Sequence, residues 1–269
     1  MSLIAWWPLT RGLENLVDTN TLTGTYTASA DGKLGPCLNT TAALTGPFSL
    51  EHIDPTITSS TIACWIKVNQ TEIANKFATI TSTYNAPTST ILGYNNYGGY
   101  ALTWTTNSFT SFSTFRVCGS IRGASALSTS SYTVPFDTWT HVALVSNVDT
   151  KKMQLYINGV PYGSATSYSA LESIKNSTSS FYINRASIYS GNGPSMSLPM
   201  KLNDVRVYDH ALSAFEVKEI AKGLVAHYRL DGGNHTNLLR NALSPKFNGF
   251  LTQSSGTIVF DDILQQNVY

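Results

Sequence analysis

The sequence predicts an all-β fold, an antiparallel sandwich that carries one short C-terminal helix. Three observations lead there. From the start to about Val207, short apolar segments recur between clusters of Gly, Pro, Asn, Asp and Ser, the rhythm of strands and turns. Polarity comes mainly from hydroxyls and amides, and only 12% of the chain is charged, which suits pleated surfaces better than helices. Asn158-Gly159 lies between alternating segments, a strong local signal for a hairpin.

Taken in order, candidate strands run from Leu3 to Leu9, Phe48 to Ile53, Thr61 to Val68, Phe77 to Thr83 and Tyr100 to Thr106. Further candidates are Phe115 to Ile121, Thr138 to Val145, Lys152 to Ile157, Phe181 to Asn184 and Leu202 to Tyr208. Ile62, Cys64, Ile66 and Val68 alternate and therefore share one face; Met153, Leu155 and Ile157 do the same. Asn158 and Gly159 supply the two positive φ angles of a type I′ turn, so Val160-Pro161-Tyr162 folds back antiparallel. The helix starts at Ser213, whose hydroxyl caps the amide of Glu216 while that carboxylate reaches back. Leu212 and Val217 occupy the positions of a hydrophobic staple, and Gly223 ends the helix in a left-handed conformation.

Immediately after that helix, Leu224-Val225-Ala226-His227-Tyr228-Arg229-Leu230 repeats the pattern of Leu3-Ile4-Ala5-Trp6-Trp7-Pro8-Leu9 at an offset of 224 − 3 = 221. Asn15-Leu16 is echoed by Asn237-Leu238, one residue out of step. Residues 1–222 are therefore expected to form one domain, and 223–269 a linker and the beginning of a second β domain or an extended assembly segment. Forty-odd residues bury little core by themselves, so the natural polypeptide is expected to continue.

A formal net charge of +1 gives no electrostatic reason for binding nucleic acid or an anionic membrane. No apolar run is long enough for a helical membrane span, and "MSLIAWW" has no basic leader. Cys37, Cys64 and Cys118 are odd in number and widely spaced, so buried free thiols are expected rather than a disulfide framework or a CxxC site.

"STIACWIKV", "WTHVALVSN", "MQLYINGV" and "KLNDVRVYDHALSAFEVKEIAKG" resemble the successive signature stretches of laminin-G-like jelly rolls in the concanavalin A-like lectin/glucanase superfamily. The last is similar to versions common in bacterial surface proteins and phage fibres. The resemblance covers nearly all of residues 1–222. It implies two curved antiparallel sheets packed face to face, a role in sugar binding, adhesion or structure, and in some members a Ca2+ ion at the rim.

Retaining glycosidases need two carboxyl groups roughly 5 Å apart. The glutamates outside the helix, Glu14, Glu51, Glu72 and Glu172, have no acidic neighbour two residues away; Glu51 and Asp54 in "EHIDP" read as a strand end entering a turn. His141 has no accompanying serine elbow and is expected to be a packed or hydrogen-bonded structural histidine. No catalytic residue is assigned and no cofactor is expected, Ca2+ being the one ion considered. Its candidate ligands are Asp149, Asp204 and Asp209, set against the reading that they form turns. The candidate glycan platform is "GYNNYGGY" with the following tryptophan: Tyr94, Asn95, Asn96, Tyr97, Tyr100 and Trp104. Tyr and Trp faces stack on sugar C–H faces and Asn amides meet hydroxyls; the alternative is packing of these aromatics against neighbouring copies.

The expectation is a non-enzymatic phage virion protein, a head or tail fibre or decoration component, multimeric or particle-bound and touching host glycans. Its expected partners are other virion proteins or copies of itself. The alternative is a bacterial cell-surface, extracellular lectin-like adhesin module.

Overall fold

The computed structural model describes residues 3–46 (save 11, 18, 20 and 41), 59–78, 88–94, 100–106, 113–122, 126–168, 181–186 and 197–223. The first elements are β1 (Leu3–Trp7), β2 (Thr27–Gly32), β3 (Gly35–Thr40), β4 (Leu44–Gly46), β5 (Ser60–Lys67) and α1 (Gln70–Ala78). Then come β6 (Thr88–Tyr94), β7 (Tyr100–Thr106), β8 (Phe115–Arg122), β9 (Ala126–Ser128), β10 (Tyr132–Val134) and β11 (Thr140–Asn147). The last are β12 (Lys152–Ile157), β13 (Val160–Ser167), β14 (Phe181–Ala186), β15 (Met200–Tyr208) and α2 (Ala214–Ile220).

Among the described residues every strand pairing is antiparallel, and the strands form two sheets. One has the order β13-β12-β11-β5-β15-β3-β2, with β1 also on β15; the other has the order β10-β8-β7-β6-β14-β4, with β9 on β8. Alternation places Ile62, Cys64 and Ile66 of β5 and Val142 and Leu144 of β11 in the core between the sheets. Trp7 of the first sheet stacks on Phe181 of the second at 5.8 Å, so aromatic contact bridges the layers directly.

The central strands are apolar on their outer side as well, because α2 covers it. Leu212 and Val217 pack with Ala63, Ala143, Val145, Tyr156 and Tyr208 in a second cluster. Ala63 and Ala143 are directly paired across β5 and β11, and their small side chains leave room for the helix. The expected capping box is present: Ser213 N donates to Glu216 Oε2 at 2.7 Å, and Glu216 N donates to Ser213 Oγ at 3.3 Å. That bonding holds the Glu216 carboxyl below its ordinary range. Gly223 has φ +79, as its position past the helix predicts.

Asn158 (φ 50) and Gly159 (φ 79) make the expected tight turn between β12 and β13. The Asn158 side chain also accepts from His141 N at 2.9 Å, tying the turn to β11. A Cβ on Gly159 would lie 2.9 Å from Lys218 Cα, so only glycine lets this turn reach α2.

Several expectations need correction. Phe77, expected in a strand, belongs to α1; residues 79–83 and the candidate strand from Phe48 to Ile53 lie outside the described residues. The cause of α1 is local: Asn69 Oδ1 accepts from Glu72 N at 2.9 Å, an Asn cap followed three residues later by Glu, while Ile73 is buried. Thus α2 is not the only helix. The hairpin of β2 and β3 went unread because "TASADG" and "GPCLNT" lack a β-branched alternating pattern.

Removing the cap by Ser213→Ala should lower stability by about 1 kcal/mol. Gly159→Ala should cost more than Ser213→Ala, since it adds a clash to an unfavourable φ. Chemical denaturation of the two variants beside the parent measures both; a Gly159→Ala protein as stable as the parent would contradict the docking of the turn on α2.

Candidate functional site

The residues expected to meet a glycan separate into two groups. Tyr94 ends β6, and Asn95, Asn96 and Tyr97 lie outside the described residues. Tyr100 and Trp104, by contrast, are core residues with no exposed surface. They stand with Leu102 on the inner side of β7, while Ala101 and Thr103 take the other side, so the period of two that defines the strand turns both aromatics away from solvent. The Tyr100 hydroxyl donates to the carbonyls of Leu144 and Ser60, and burial pushes its pKa well up. Trp104 stacks on Phe115 at 5.8 Å. These two are therefore removed from the platform, which leaves the segment from Tyr94 to Tyr97.

The three aspartates expected around Ca2+ do different work. Asp149 is exposed in the turn after β11. Asp209 follows β15 and pairs with His210 Nδ1 at 3.1 Å. Asp204 lies within β15, 3% exposed, where its Oδ1 accepts from Trp6 Nε1 at 2.8 Å and from Arg206 Nε at 2.9 Å. The Arg206 guanidinium also lies 5.3 Å from the Trp6 ring centroid. Among the described residues no group of three or more His, Cys, Asp or Glu side chains comes together to hold a metal. Ca2+ favours several converging oxygen ligands, and the aspartates described do not fit that requirement.

One other carboxylate is carried on a strand among the described residues. Asp31 of β2 accepts from Lys67 Nζ at 2.9 Å and from Lys201 Nζ at 2.8 Å. Those lysines, Lys201 foremost, hold its carboxyl below the ordinary range. Asp31 and Asp204 are thus each engaged by cations of neighbouring side chains, and neither stands free on a sheet face as a general acid or nucleophile requires.

Cys37, Cys64 and Cys118 are free and buried, and burial pushes the Cys64 thiol far above its ordinary pKa, which removes thiolate character. His141 is 1% exposed on the outer side of β11, opposite Trp65, with ring centroids 5.3 Å apart. Burial holds its pKa down to about 3, so the ring is neutral and structural. Lys33 lies over the Trp65 ring at 4.7 Å. The clamp of Trp6, Asp204 and Arg206 and the double lysine contact of Asp31 were missed from sequence, because each joins residues far apart in the chain.

The family model described as "Concanavalin A-like lectin/glucanases superfamily" matches residues 42–218. No curated protein matches the chain. Among solved structures, domain 4 of AbnA, an extracellular GH43 arabinanase from Geobacillus stearothermophilus solved with arabinotriose, is similar at TM-score 0.54 and 19% identity. It is covered over 98% of its length by 82% of this chain. The binding domain of Paraclostridial Mosquitocidal Protein 1 is similar at TM-score 0.59 and 15% identity, over 86% of this chain and 55% of that one. The binding domain of botulinum neurotoxin serotype G gives TM-score 0.57 and 15% identity, over 87% and 54%. The chain thus spans about half the length of these toxin domains, and at such identities the likeness is one of fold.

Two outcomes test this placement. Trp104→Ala should cost about 3–5 kcal/mol in a chemical melt, the range for emptying a large aromatic site in a core. A surface platform residue would barely change stability. For His141, the unfolded ring takes up a proton near pH 6.5 and the folded ring only near 3. Its contribution to stability is therefore complete above 6.5 and is lost as pH falls through that window, by up to about 1.4 kcal/mol per pH unit. Melts of the parent and His141→Gln from pH 7 to 4 should converge as pH falls; parallel curves would show that the ring stays accessible to protons in the folded state.

Proposed function

We propose that this chain, which belongs to the concanavalin A-like lectin/glucanases superfamily, is a non-catalytic carbohydrate-binding module. The single observation that carries the non-catalytic reading is the state of the strand-borne carboxylates. Asp204 is neutralised by Arg206, and Asp31 by Lys67 and Lys201, so the described strands offer no free pair to flank a glycosidic bond. The similar arabinanase domain was solved with arabinotriose, and the similar toxin domains are binding domains, which supports a binding role on this fold.

The ligand site of this reading is the segment from Tyr94 to Tyr97. Tyr94 and Tyr97 supply stacking surfaces for sugar rings, and Asn95 and Asn96 supply amides that both donate to and accept from hydroxyls. The finer reading is a phage virion component, a head or tail fibre or decoration protein that presents this module to host glycans. A chain of low net charge that is rich in hydroxyls suits packing against other virion proteins or further copies of itself.

On a glycan array the parent should retain at least one glycan, and Tyr97→Ala should weaken that binding by up to about tenfold, the worth of one aromatic contact. Tyr94→Ala should act similarly, and neither should shift the melting temperature. Loss of thermal stability with unchanged binding would instead make these tyrosines packing residues. The particle reading is tested by immunogold labelling of purified phage; particles that never carry the protein contradict it.

A further inference from the structure

The two sheets of the sandwich differ in charge, a contrast that the net charge of +1 conceals. In the first sheet the cations Lys67, Lys201 and Arg206 are held by Asp31 and Asp204. The strands of the second sheet, β4, β6, β7, β8, β9, β10 and β14, carry Arg116, Arg122 and Arg185 and no Asp or Glu. None of the 16 acidic residues of the chain falls in residues 73–136 or 173–199, the stretches that contain all of those strands except β4. We propose that the outer face of the second sheet, the side turned away from the core, binds an acidic polysaccharide, one whose sugars carry carboxylates. The inference rests on the carbohydrate-binding reading and adds to it a surface and a class of ligand.

Strand register lays one line of residues across six strands of this sheet. Thr45 of β4 pairs with Tyr182 of β14, which pairs with Gly93 of β6, and the line continues through Ala101, Ser120 and Ser128. Residues directly opposite one another share a face. Their chain neighbours Leu44, Phe181, Ile183, Tyr100 and Leu102 belong to the core, so the line lies on the outer side. At the usual strand spacing it runs for about 24 Å, a length that suits a polysaccharide chain rather than one sugar ring. Ala101, Thr103 and Ser120 make a floor of small side chains, and the Thr103 hydroxyl donates to Cys118 O at 3.2 Å, flat against the sheet. Tyr182 is half-buried in the same line and supplies an aromatic surface beside that floor.

The charge of the ligand follows from Arg116. It alternates along β8 with the core residues Phe115 and Val117 and therefore stands on the same side as Ser120. Arg116 is exposed and has no carboxylate partner among the described residues, unlike Arg206 of the first sheet. Its cross-strand neighbours are Thr105 and Thr133, both hydroxyl residues. A guanidinium presents paired N–H donors that match a carboxylate, and hydroxyls beside it match the hydroxyls of a sugar. A polyhydroxyl chain bearing carboxylates satisfies both groups at once. A nucleic acid requires a denser row of cations, since its affinity comes from neutralising many phosphates.

The test offers polygalacturonate, alginate and hyaluronate to the full chain, each beside its carboxyl-reduced, neutral form, with binding measured by calorimetry. At least one acidic form should bind, and its reduced form should bind more weakly. Arg116→Gln should weaken the acidic form by up to about fivefold, the worth of one exposed ion pair, and leave both the reduced form and the melting temperature unchanged. High salt should bring the parent down towards the variant. Lys218→Gln, which removes an exposed cation of α2 instead, should bind as the parent does. Equal binding of acidic and reduced forms, or an Arg116→Gln protein that binds as the parent does, overturns the proposal. Equal binding of polyglutamate makes the face a general anion exchanger and also overturns it. A parent that ignores all three acidic polysaccharides yet retains neutral glycans on an array overturns this inference and leaves the carbohydrate reading standing, whereas a parent that retains no glycan removes both.

Discussion

The pairing of β1 with β15, the first and last strands among the described residues, is the contact on which the rest of the sandwich depends. β1 joins β15 although Trp6 and Asp204 lie 198 positions apart, and the Asp204 carboxylate locks the pair by accepting from the Trp6 indole and the Arg206 guanidinium at once. One residue away, Trp7 points to the other side and stacks on Phe181 of the facing sheet. The outer clamp and the inner stack thus belong to the same short strand. Removing one partner of such a buried charge leaves the other unpaired, and that costs more than the pair itself contributes.

This use of charge bears on function. A fold that spends its strand-borne carboxylates on Trp6, Arg206, Lys67 and Lys201 has turned them into structural groups. The hydroxyls, amides and aromatic rings that the described strands also carry are groups that recognise neutral ligands through stacking and hydrogen bonds. Low charge over the whole chain points the same way. The composition and the placement of these described side chains both support the binding role proposed above.

Much of the fold was legible in the sequence where a local rule and burial agree. β5 and β11 alternate cleanly, the Asn158-Gly159 turn needs its two positive φ angles, and the Ser213 cap names its own partner three residues on. The three thiols and His141 were also placed correctly as buried groups. α1 went unread although Asn69 and Glu72 carry the same type of cap signal, because Phe77 and its neighbours suggested a strand. Tyr100 and Trp104 were assigned to a surface platform by residue type, when the alternation Tyr100, Leu102, Trp104 already marked an inner face. Asp204 is a different case: Arg206 lies two positions on, but its other partner, Trp6, lies 198 positions away, so the clamp as a whole has no local signature.

The central claim is that this sandwich binds carbohydrate and leaves it intact. The direct measurement is to incubate the protein with the glycan that it retains best, then to quantify both the bound complex by calorimetry and any newly formed reducing ends. The account predicts saturable binding with the glycan recovered at its original length. Release of shorter products in proportion to protein and time would contradict it, since catalysis would then require a carboxylate pair that the described strands do not supply.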